Sequence, residues 1–530
     1  MTSLCRDLAA IKNQTFDVAV IGGGITGAGV ARHAALAGLS TLLVEAADFA
    51  SGTSSRSTKL IHGGLRYLAM GDFALVREGA LERKSLKRMA PHLTQPQWMV
   101  VPATSRLGML KLKLGITVYE WLGAVDRAER HQNWQAAELA QREPLLDRGR
   151  YPYACTYREY LTDDARLVVA TLRGAAAAGA VTCNYTRLAG FEPGEDDVTL
   201  ELQDMLTGEH LSGRTRVVVN AAGPWVESVL NLGGNAALSR PRLHLSKGVH
   251  IALAREQLPL NNMVMMTASD RRPVFAIPRG QVVYVGTTDT TVKGGPGYWP
   301  EVTAADVAYL IATVNEHFTG VTVTPSDVVG SWAGLRPLVH QAGKAPKEMS
   351  RRDEIWQDPA RFISIAGGKL TGYRKMAEQV LARVGAVLGR DVTLADPLTR
   401  LPGGDEPDTG ALARRIGERY GQGERVSLRL MRLYGSEVET VLGESPVPIA
   451  GGVFAEEVRW AVRTESAQTL EDTVYRRLRV PWFRPGESQT VALAAVDIMA
   501  ELLGWDAARR DRELGTLRDR LRDDLVFSAA

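Results

Sequence analysis

The sequence predicts a mixed α/β fold followed by an all-helical C-terminal part. A βαβ unit with a glycine-rich turn stands near the N-terminus. Alternating apolar runs between glycine and proline turns occupy residues 240–300, and helical patterns dominate beyond residue 401. We therefore expect one region over residues 1–400 and a separate helical cap over residues 401–530.

The βαβ unit carries a G-x-G-x-x-G turn directly after an apolar run. Residues 16–21, FDVAVI, predict a buried strand, and Gly22, Gly24 and Gly27 follow it. These glycines permit a tight turn, a close approach of a pyrophosphate and close packing of the next helix, about residues 26–37. The helix N-terminus favours phosphate groups. The motif alone is weak, but its place between strand and helix predicts a dinucleotide site.

The end of the second strand narrows the choice of dinucleotide. Residues 40–44 predict a buried strand, and Glu45 closes it at the offset of an acid that binds a ribose hydroxyl. A carboxylate there disfavours the 2′-phosphate of NADP, which leaves FAD or NAD. A hydroxyl-rich loop with glycines follows, where an NAD-binding domain would run on into another helical crossover.

Two longer motifs resemble those of a known family. Residues 54–68 match S-S-x-S-x-K-L-I-H-G-G-L-R-Y-L, and residues 367–377 match G-G-K-x-x-x-Y-R-x-x-A. Both resemble the FAD-dependent glycerol-3-phosphate dehydrogenases, a branch of the D-amino-acid-oxidase-like flavoproteins. The resemblance covers nearly the whole chain. It departs at His33 and Ala37, where the family carries Asp and Arg, and at Gly372, where Thr is common.

The resemblance implies a Rossmann-like FAD-binding domain assembled from separate segments, about residues 16–110, 163–235 and 330–390. An antiparallel substrate sheet, about residues 236–329, is expected between them. The residues expected to contact FAD are Gly22, Gly23, Gly24, Thr26, Gly27, Glu45, Thr53, Ser54, Ser55, Thr58, Lys59, Ile61, His62, Gly63, Ala222, Gly223, Gly368, Lys369, Leu370 and Thr371.

The resemblance also implies a small phosphorylated polyol as substrate. Oxidising its secondary alcohol requires a hydride acceptor, a base and cations for the phosphate. We expect Arg66, Tyr67 and Lys369 to hold the phosphate, and Arg336 to polarise the reacting hydroxyl. An arginine taken alone is more often a solvated surface residue, so the expectation depends on several cations converging.

The proton acceptor is expected to be a histidine, because imidazole titrates near neutral pH. His250, in the run SKGVHIAL, is the first choice and His62 the second. A lone histidine in a strand is more often a core residue, so this choice also depends on the resemblance.

Composition excludes several classes of protein. The 63 basic and 60 acidic residues leave a net charge of +3, which does not indicate a nucleic-acid partner. Cys5, Cys155 and Cys183 are odd in number and widely spaced, so neither a disulfide framework nor a metal site is predicted. No P-loop and no G-x-S-x-G motif occurs, so kinase and hydrolase chemistry have no support.

Residues 106–122 are the candidate for contact with a membrane surface. Leu107, Leu110 and Leu114 recur at helical spacing, with lysines and aromatic residues between them. Gly115 and the β-branched residues after it weaken a helix prediction, and a packed helix or a homodimer contact are alternatives. No signal peptide and no membrane span is predicted. We expect a cytoplasmic protein held on the inner face of the cell membrane.

The expected function is oxidation of sn-glycerol 3-phosphate at C2, with electrons passing through FAD to a membrane quinone. Three alternatives stay open: an oxidase that uses oxygen, an amine or amino-acid oxidase on the same fold, and a flavoprotein whose helical cap binds a partner.

Pro91, Pro96 and Pro102 predict a loop after the charged helix of residues 72–89.

Overall fold

The computed structural model describes residues 3–63, 71–233, 243–339, 353–359 and 361–528. Two large sheets, the helices packed on them and a C-terminal helical part occupy these ranges. The strands are β1 (Thr15–Ile21), β2 (Thr41–Val44), β3 (Leu60–Ile61), β4 (Gln95–Ala103), β5 (Gln132–Gln135), β6 (Tyr153–Leu161), β7 (Val181–Cys183), β8 (Thr186–Pro193), β9 (Val198–Asp204), β10 (His210–Asn220), β11 (Leu243–Ala254), β12 (Met263–Thr267), β13 (Pro273–Arg279), β14 (Val282–Gly286), β15 (Thr290–Thr291), β16 (Val328–Val339), β17 (Glu354–Asp358), β18 (Phe362–Ala366), β19 (Pro448–Ala450) and β20 (Val453–Phe454). The helices are Leu8–Asn13, Ile25–Leu36, Phe73–Met89, Arg106–Leu122, Ala136–Arg142, Asp164–Ala177, Val226–Leu230, Ala304–His317, Tyr373–Leu388, Thr409–Tyr420, Glu424–Tyr434, Val438–Leu442, Ala455–Arg463, Ser488–Leu503 and Ala507–Asp523.

The first sheet holds the βαβ unit at its centre. Its strand order is β17-β18-β10-β1-β2-β7, and β9 and β8 extend it beside β10. The strands β18, β10, β1, β2 and β7 run parallel. All four residues of β2 are buried, as expected of a parallel strand covered on both faces. Because the strands are parallel, their carboxyl ends meet at one edge of the sheet.

The helix that follows the glycine-rich turn, Ile25–Leu36, begins one residue before the predicted position. It packs against the helices Asp164–Ala177 and Tyr373–Leu388. A Cβ added at Gly29 would lie 2.8 Å from the ring of Tyr373, so the two helices approach closely because this position lacks a side chain. The resulting core fixes the direction in which the first helix presents its N-terminus.

The second sheet is larger than the sequence indicates. Its order is β15-β11-β14-β13-β12-β4-β6-β3, with β16 paired to β11 and β5 to β6. The prediction of a loop around Pro96 and Pro102 is wrong, because residues 95–103 form β4. The prolines are tolerated because β12 pairs with β4 only at Met99 and Val100, between them, so that near its ends β4 needs hydrogen bonds to β6 alone.

The C-terminal part is helical, as predicted, apart from the short pair β19 and β20. One π-helical turn, Asp472–Arg477, packs against the rest of the chain. The predicted division of the chain near residue 400 stays a prediction. None of the helices in the described ranges combines the length and apolar composition that crossing a bilayer requires.

Candidate active site

A cavity of about 830 Å³ opens where the parallel strands of the first sheet end. Ile21, Val44, Asn220 and Ala366 are the last residues of β1, β2, β10 and β18. The turns after all four strands line the cavity, which reaches across to the second sheet. Ligands of open α/β sheets bind at the carboxyl ends of the strands, so this cavity is the candidate active site.

The glycine-rich turn is shaped by contacts that exclude side chains. Gly22 has a φ of +115°, which only glycine adopts readily, and a Cβ added there would lie 2.7 Å from the Ala221 carbonyl oxygen. A Cβ at Gly27 would lie 1.9 Å from the Gly22 carbonyl oxygen. Gly24 precedes the helix and lines the cavity, and because it has no side chain it places no cap of its own over the N-terminal amides of the helix.

Replacing Gly27 by alanine is expected to abolish cofactor binding, because the new methyl group would force the turn away from the helix. The measurement is the absorbance ratio of bound flavin to protein after purification, together with the melting temperature. Gly515→Ala is the matched control. Its Cβ would meet nothing within 4 Å, and alanine within a helix stabilises by about 1 kcal/mol relative to glycine. Full flavin content in Gly27→Ala would contradict the assigned role of the turn.

Glu45 lies at the predicted position after β2. Its carboxylate accepts hydrogen bonds from the backbone N–H of Gly23 at 2.7 Å and of Ala47 at 2.9 Å. Burial raises the pKa of Glu45 above its usual value. Each carboxylate oxygen can accept a second hydrogen bond, so the group remains able to bind a ribose hydroxyl.

The hydroxyl-rich loop runs along the cavity wall from the first sheet to the second. Thr53 donates a hydrogen bond to the Leu335 carbonyl oxygen at 2.5 Å, and Ser54 accepts one from the Ile25 N–H at 3.0 Å. Both residues line the cavity, as does Thr58. The loop therefore joins the first turn of the βαβ helix to the second sheet.

Lys59 lines the cavity, and its ammonium group is held by partners beneath the loop. Its side chain is fully buried and its ammonium group donates hydrogen bonds to the Ser55 carbonyl oxygen at 2.8 Å and to Asp164 at 3.1 Å. The ammonium group also lies 4.7 Å from the ring centre of Trp332. Burial, against the opposing charge of Asp164, lowers the pKa of Lys59 to about 7. The ammonium group thus takes part in a buried ion pair, and a contact of Lys59 with the cofactor stays a prediction.

Most of the other predicted cofactor residues lie on the cavity wall, and their contacts with FAD stay predictions. The wall includes Thr26, His62, Ala222, Gly223, Gly368, Lys369, Leu370 and Thr371. The predicted residues that do not contribute to the wall are Gly23, Gly27, Ser55, Ile61 and Gly63. Gly23 and Gly63 pack beneath Phe49 and Tyr119, and Ile61 belongs to the buried core. These five residues would therefore influence FAD binding by packing beneath the residues of the cavity wall.

Arg336 lies at that end of the cavity which the second sheet lines. Its guanidinium group donates hydrogen bonds to the Thr287 hydroxyl at 2.9 Å and the Thr288 carbonyl oxygen at 3.2 Å, and lies 3.3 Å from an Asp289 oxygen. A Cβ at Gly248 would lie 2.3 Å from the guanidinium group, so this glycine makes room for it. The side chain is 21% exposed and reaches the cavity.

His250 is held in a tight slot on β11. Its ring stacks on Trp332 with centroids 5.1 Å apart, and a Cβ at the opposite residue Gly286 would overlap it. Nε2 lies 3.0 Å from the Thr58 hydroxyl oxygen. Within the described part of the chain, Nδ1 is buried and has no hydrogen-bond partner. Burial, with the charges of Lys59 and Arg336, lowers the pKa of His250 well below its usual value.

Two predicted substrate residues, Arg66 and Tyr67, lie outside the described residues. Other cavity residues were not predicted, because strand pairing far along the chain brings them to the site. Register provides the only signal for them: Thr287 to Asp289 directly follow β14, whose last residue pairs with His250. The unpredicted lining residues at this end include Tyr157, Met265, Arg272, Phe275, Thr287, Thr288, Asp289 and Tyr298.

The cavity suits a dinucleotide at one end and a small anion at the other. Carboxylate oxygens for a ribose and helix amides for phosphates lie beside the first sheet. Arg336, Lys369 and a neutral imidazole line the remaining wall. The residues present therefore fit FAD together with a phosphorylated substrate.

Comparisons with known proteins agree with this fit. The family described as FAD dependent oxidoreductase matches residues 17–356, and the C-terminal domain of alpha-glycerophosphate oxidase matches residues 398–510. The chain is 36% identical over 526 residues to the aerobic glycerol-3-phosphate dehydrogenase of Staphylococcus aureus strain USA300, covering 94% of this chain and 93% of that protein.

Solved structures of similar proteins belong to the same group of flavoproteins. The glycerol-3-phosphate dehydrogenase from Bacillus halodurans complexed with FAD superposes with a TM-score of 0.81 at 32% identity, over 99% of both chains. The L-alpha-glycerophosphate oxidase from Mycoplasma pneumoniae, at 17% identity and a TM-score of 0.54, shares the fold over 70% of this chain and 95% of that chain. The chain therefore belongs to the FAD dependent oxidoreductase family, within its aerobic glycerol-3-phosphate dehydrogenase branch, and FAD is its cofactor.

Proposed function

We propose that this flavoprotein oxidises sn-glycerol 3-phosphate at C2 to dihydroxyacetone phosphate. The observation that supports this most is the convergence of Arg336, Lys369 and a buried neutral His250 on the cavity that begins at the dinucleotide turn. FAD, when bound, supplies the acceptor for the hydride that leaves C2. The hydroxyl proton passes to the protein as the carbonyl group forms, so atoms and charge balance.

Different cations are assigned to the phosphate group and to the C2 oxygen of the substrate. Lys369, the lysine of the second family motif, lies on the cavity wall, and we assign it to the phosphate group, together with Arg66 and Tyr67. We assign Arg336 to the oxygen on C2. Asp289 lies against that guanidinium group and limits its net charge, while the Thr287 hydroxyl orients it. A planar, oriented donor suits an oxygen that gains negative character during proton removal.

His250 is the proposed proton acceptor, and His62 remains the second choice. Its contact with the Thr58 hydroxyl at 3.0 Å and its stacking on Trp332 hold the ring in one orientation. Because the ring is neutral, it can accept a proton directly. Nδ1, which is buried and unpaired within the described part of the chain, and Nε2 are the two atoms at which the proton can arrive.

The test of this function is anaerobic. Adding sn-glycerol 3-phosphate to the yellow holoprotein is expected to bleach the flavin absorbance rapidly, and unphosphorylated glycerol is not. Adding a quinone or admitting air then distinguishes the two enzyme classes. Reoxidation of the flavin by the quinone indicates a dehydrogenase, and rapid reoxidation by oxygen indicates an oxidase. A flavin that stays oxidised with the phosphorylated substrate would contradict the proposal and direct attention to amines and amino acids.

The pH dependence of flavin reduction follows from the lowered pKa of His250. Proton removal requires the neutral ring, and the lowered pKa keeps the ring neutral as pH falls through its usual value of about 6.5. The limiting rate of reduction at saturating substrate is therefore expected to stay flat as the pH falls through about 6.5, and to decrease only at pH values well below that. An acid limb centred at or above about 6.5 would be inconsistent with this base.

A quinone in the membrane is the proposed electron acceptor, and the helix Arg106–Leu122 is the proposed membrane contact on the inner face. Ser105 caps this helix by accepting the Gly108 N–H at 3.1 Å. Its outer face exposes Leu107, Leu110 and Leu114 by 62%, 58% and 67%, and Trp121 by 78%. Lysines flank these side chains, which suits an anionic lipid surface. A homodimer contact through this face would be a competing use.

The membrane contact predicts a loss of lipid binding in the double variant Leu110→Glu with Leu114→Glu. Burying one leucine contributes about 1.5–3 kcal/mol, so the binding of phosphatidylglycerol vesicles in a sedimentation assay should weaken at least about tenfold. Leu493→Glu is the control, because Leu493 is 54% exposed on a C-terminal helix. Equal vesicle binding by all three proteins, with a change of oligomeric state in the double variant, would favour the homodimer contact.

A further inference from the structure

The C-terminal part of the chain reaches the cofactor site through a buried group of charges. The loop of residues 53–59 lines the cavity, and its Thr58 contacts His250. Tyr284 donates a hydrogen bond to the Thr58 carbonyl oxygen at 3.0 Å, so the loop is fixed from the side of the second sheet. The opposite side of the loop rests on residues that no step of the proposed reaction uses.

Asp164 is the centre of this support. One of its oxygens accepts hydrogen bonds from the Ser57 N–H at 3.0 Å, the Ser57 hydroxyl at 2.7 Å and the Lys59 ammonium group at 3.1 Å. Its other oxygen accepts one from Arg479 at 2.8 Å. All of these side-chain charges are buried, where a hydrogen-bonded ion pair is geometrically exacting.

Arg479 comes from the C-terminal helical part. Its guanidinium group also lies 2.9 Å from Asp163 and 3.5 Å from the Ser55 carbonyl oxygen, to which it donates. Arg479 has a φ of +57° and Lys59 a φ of +59°, a left-handed conformation that is strained in residues with a side chain. Such strain persists where surrounding contacts over-determine the backbone, as the Asp164 contacts do here.

A second contact of the same kind supports the segment that follows β2 and carries Glu45. Arg476 and Arg477 bind Asp48, three residues after Glu45, with distances of 2.6 and 2.7 Å. Burial alone would raise the pKa of Asp48, and the two guanidinium groups overcome it and hold the pKa below its usual value. The segment 476–479 thus contacts two of the segments that carry predicted cofactor residues or support them, the one after β2 and the loop of residues 53–59.

We propose that Arg479 is a positioning residue of the active site: through Asp164, it holds the loop of residues 53–59 in the conformation that binds FAD and presents Thr58 to His250. The C-terminal part then helps to complete the cofactor site from beneath the loop. This inference rests on the proposed role of the loop in the FAD site.

The test compares two buried arginines that join the C-terminal part to the rest of the chain. Arg479→Gln removes the contacts with Asp164, but Asp163 keeps Arg279 and Asp164 keeps Lys59, so the fold should survive. Arg173→Gln is the control. Arg173 binds Glu437 through two hydrogen bonds of 2.6 and 2.8 Å, away from the loop. Arg479→Lys is the second variant, to be measured if the glutamine variant does not fold.

Three measurements separate positioning from attachment. In the apoprotein, hydrogen exchange of peptides that cover residues 53–59 should rise in Arg479→Gln and not in Arg173→Gln. The affinity for FAD should fall about tenfold or more in Arg479→Gln, the size expected for a lost charged hydrogen bond. With FAD saturating, the rate of flavin reduction should also fall, whereas Arg173→Gln should lower only the melting temperature.

The proposal fails if the two variants behave alike, or if Arg479→Gln leaves loop exchange and FAD affinity unchanged. Exchange and FAD affinity involve no substrate. Failure of the proposed function, seen as a wild-type flavin that substrate does not reduce, is therefore distinguishable from failure of this inference.

Discussion

Replacing Arg336 by lysine should lower kcat/KM for sn-glycerol 3-phosphate by about 10²–10³, the loss typical of removing an oriented donor to a developing oxyanion. The guanidinium group is oriented by Thr287, Thr288 and Asp289 in a space that Gly248 leaves open. A lysine ammonium group keeps the charge but cannot satisfy these partners and the substrate together. The measurement is steady-state kinetics with an artificial acceptor, alongside the anaerobic rate of flavin reduction.

Arg255→Lys is the control for this prediction. Arg255 follows β11 and donates to the Leu260 carbonyl oxygen at 3.1 Å, outside the cavity wall. Its substitution should leave kcat/KM unchanged. If Arg336→Lys showed near-normal kinetics, the assignment of Arg336 to the reacting oxygen would be wrong, and the remaining cations would have to supply that charge.

Replacing His250 by asparagine should lower the rate of flavin reduction by about 10²–10⁴, the contribution expected of a general base. Asparagine cannot accept a proton at neutral pH and is too short to reach the Thr58 hydroxyl, which the histidine contacts through Nε2. FAD content and the flavin spectrum should stay close to those of the wild type. The measurement is single-turnover reduction over a range of pH, in which the residual rate should lose its acid limb.

A normal rate in His250→Asn across the pH range would remove His250 from the mechanism. His62→Asn would then be the decisive variant, because His62 also lines the cavity, where its backbone N–H donates to the Thr371 hydroxyl at 3.1 Å. Loss of FAD from His250→Asn would indicate a role in packing against Trp332, which the flavin content reveals before any kinetics.

The sequence predicts those parts of the site whose residues lie close together along the chain. Gly22, Gly24 and Glu45 stand within one βαβ unit, where strand and helix periodicity fix their positions relative to one another. Lys59 belongs to the same contiguous motif, yet its partner Asp164 is 105 residues away, so neither its burial nor its ion pair can be read locally.

The second sheet was predicted less completely for the same reason. Pairing of β4 with β6 joins segments about 60 residues apart in the chain, and the two prolines of β4 are turn formers in isolation. Arg272 and Asp289 flank β13 and β14, and they reach the cavity through the pairing of these strands with each other and of β14 with β11. Local propensity was overridden by a hydrogen-bonding partner that no short window contains.

The charges at the contact with the C-terminal part also bear on how this protein comes apart. Both cations bound to Asp48 come from the C-terminal segment, whereas Arg166 of the first region supplies the partner of Glu465 at 2.5 Å. Neither part can unfold alone without leaving an uncompensated buried charge in the other, a cost of several kcal/mol. Salt screens such buried pairs poorly. The whole chain should therefore behave as one cooperative unit, and the helical part is not a detachable module.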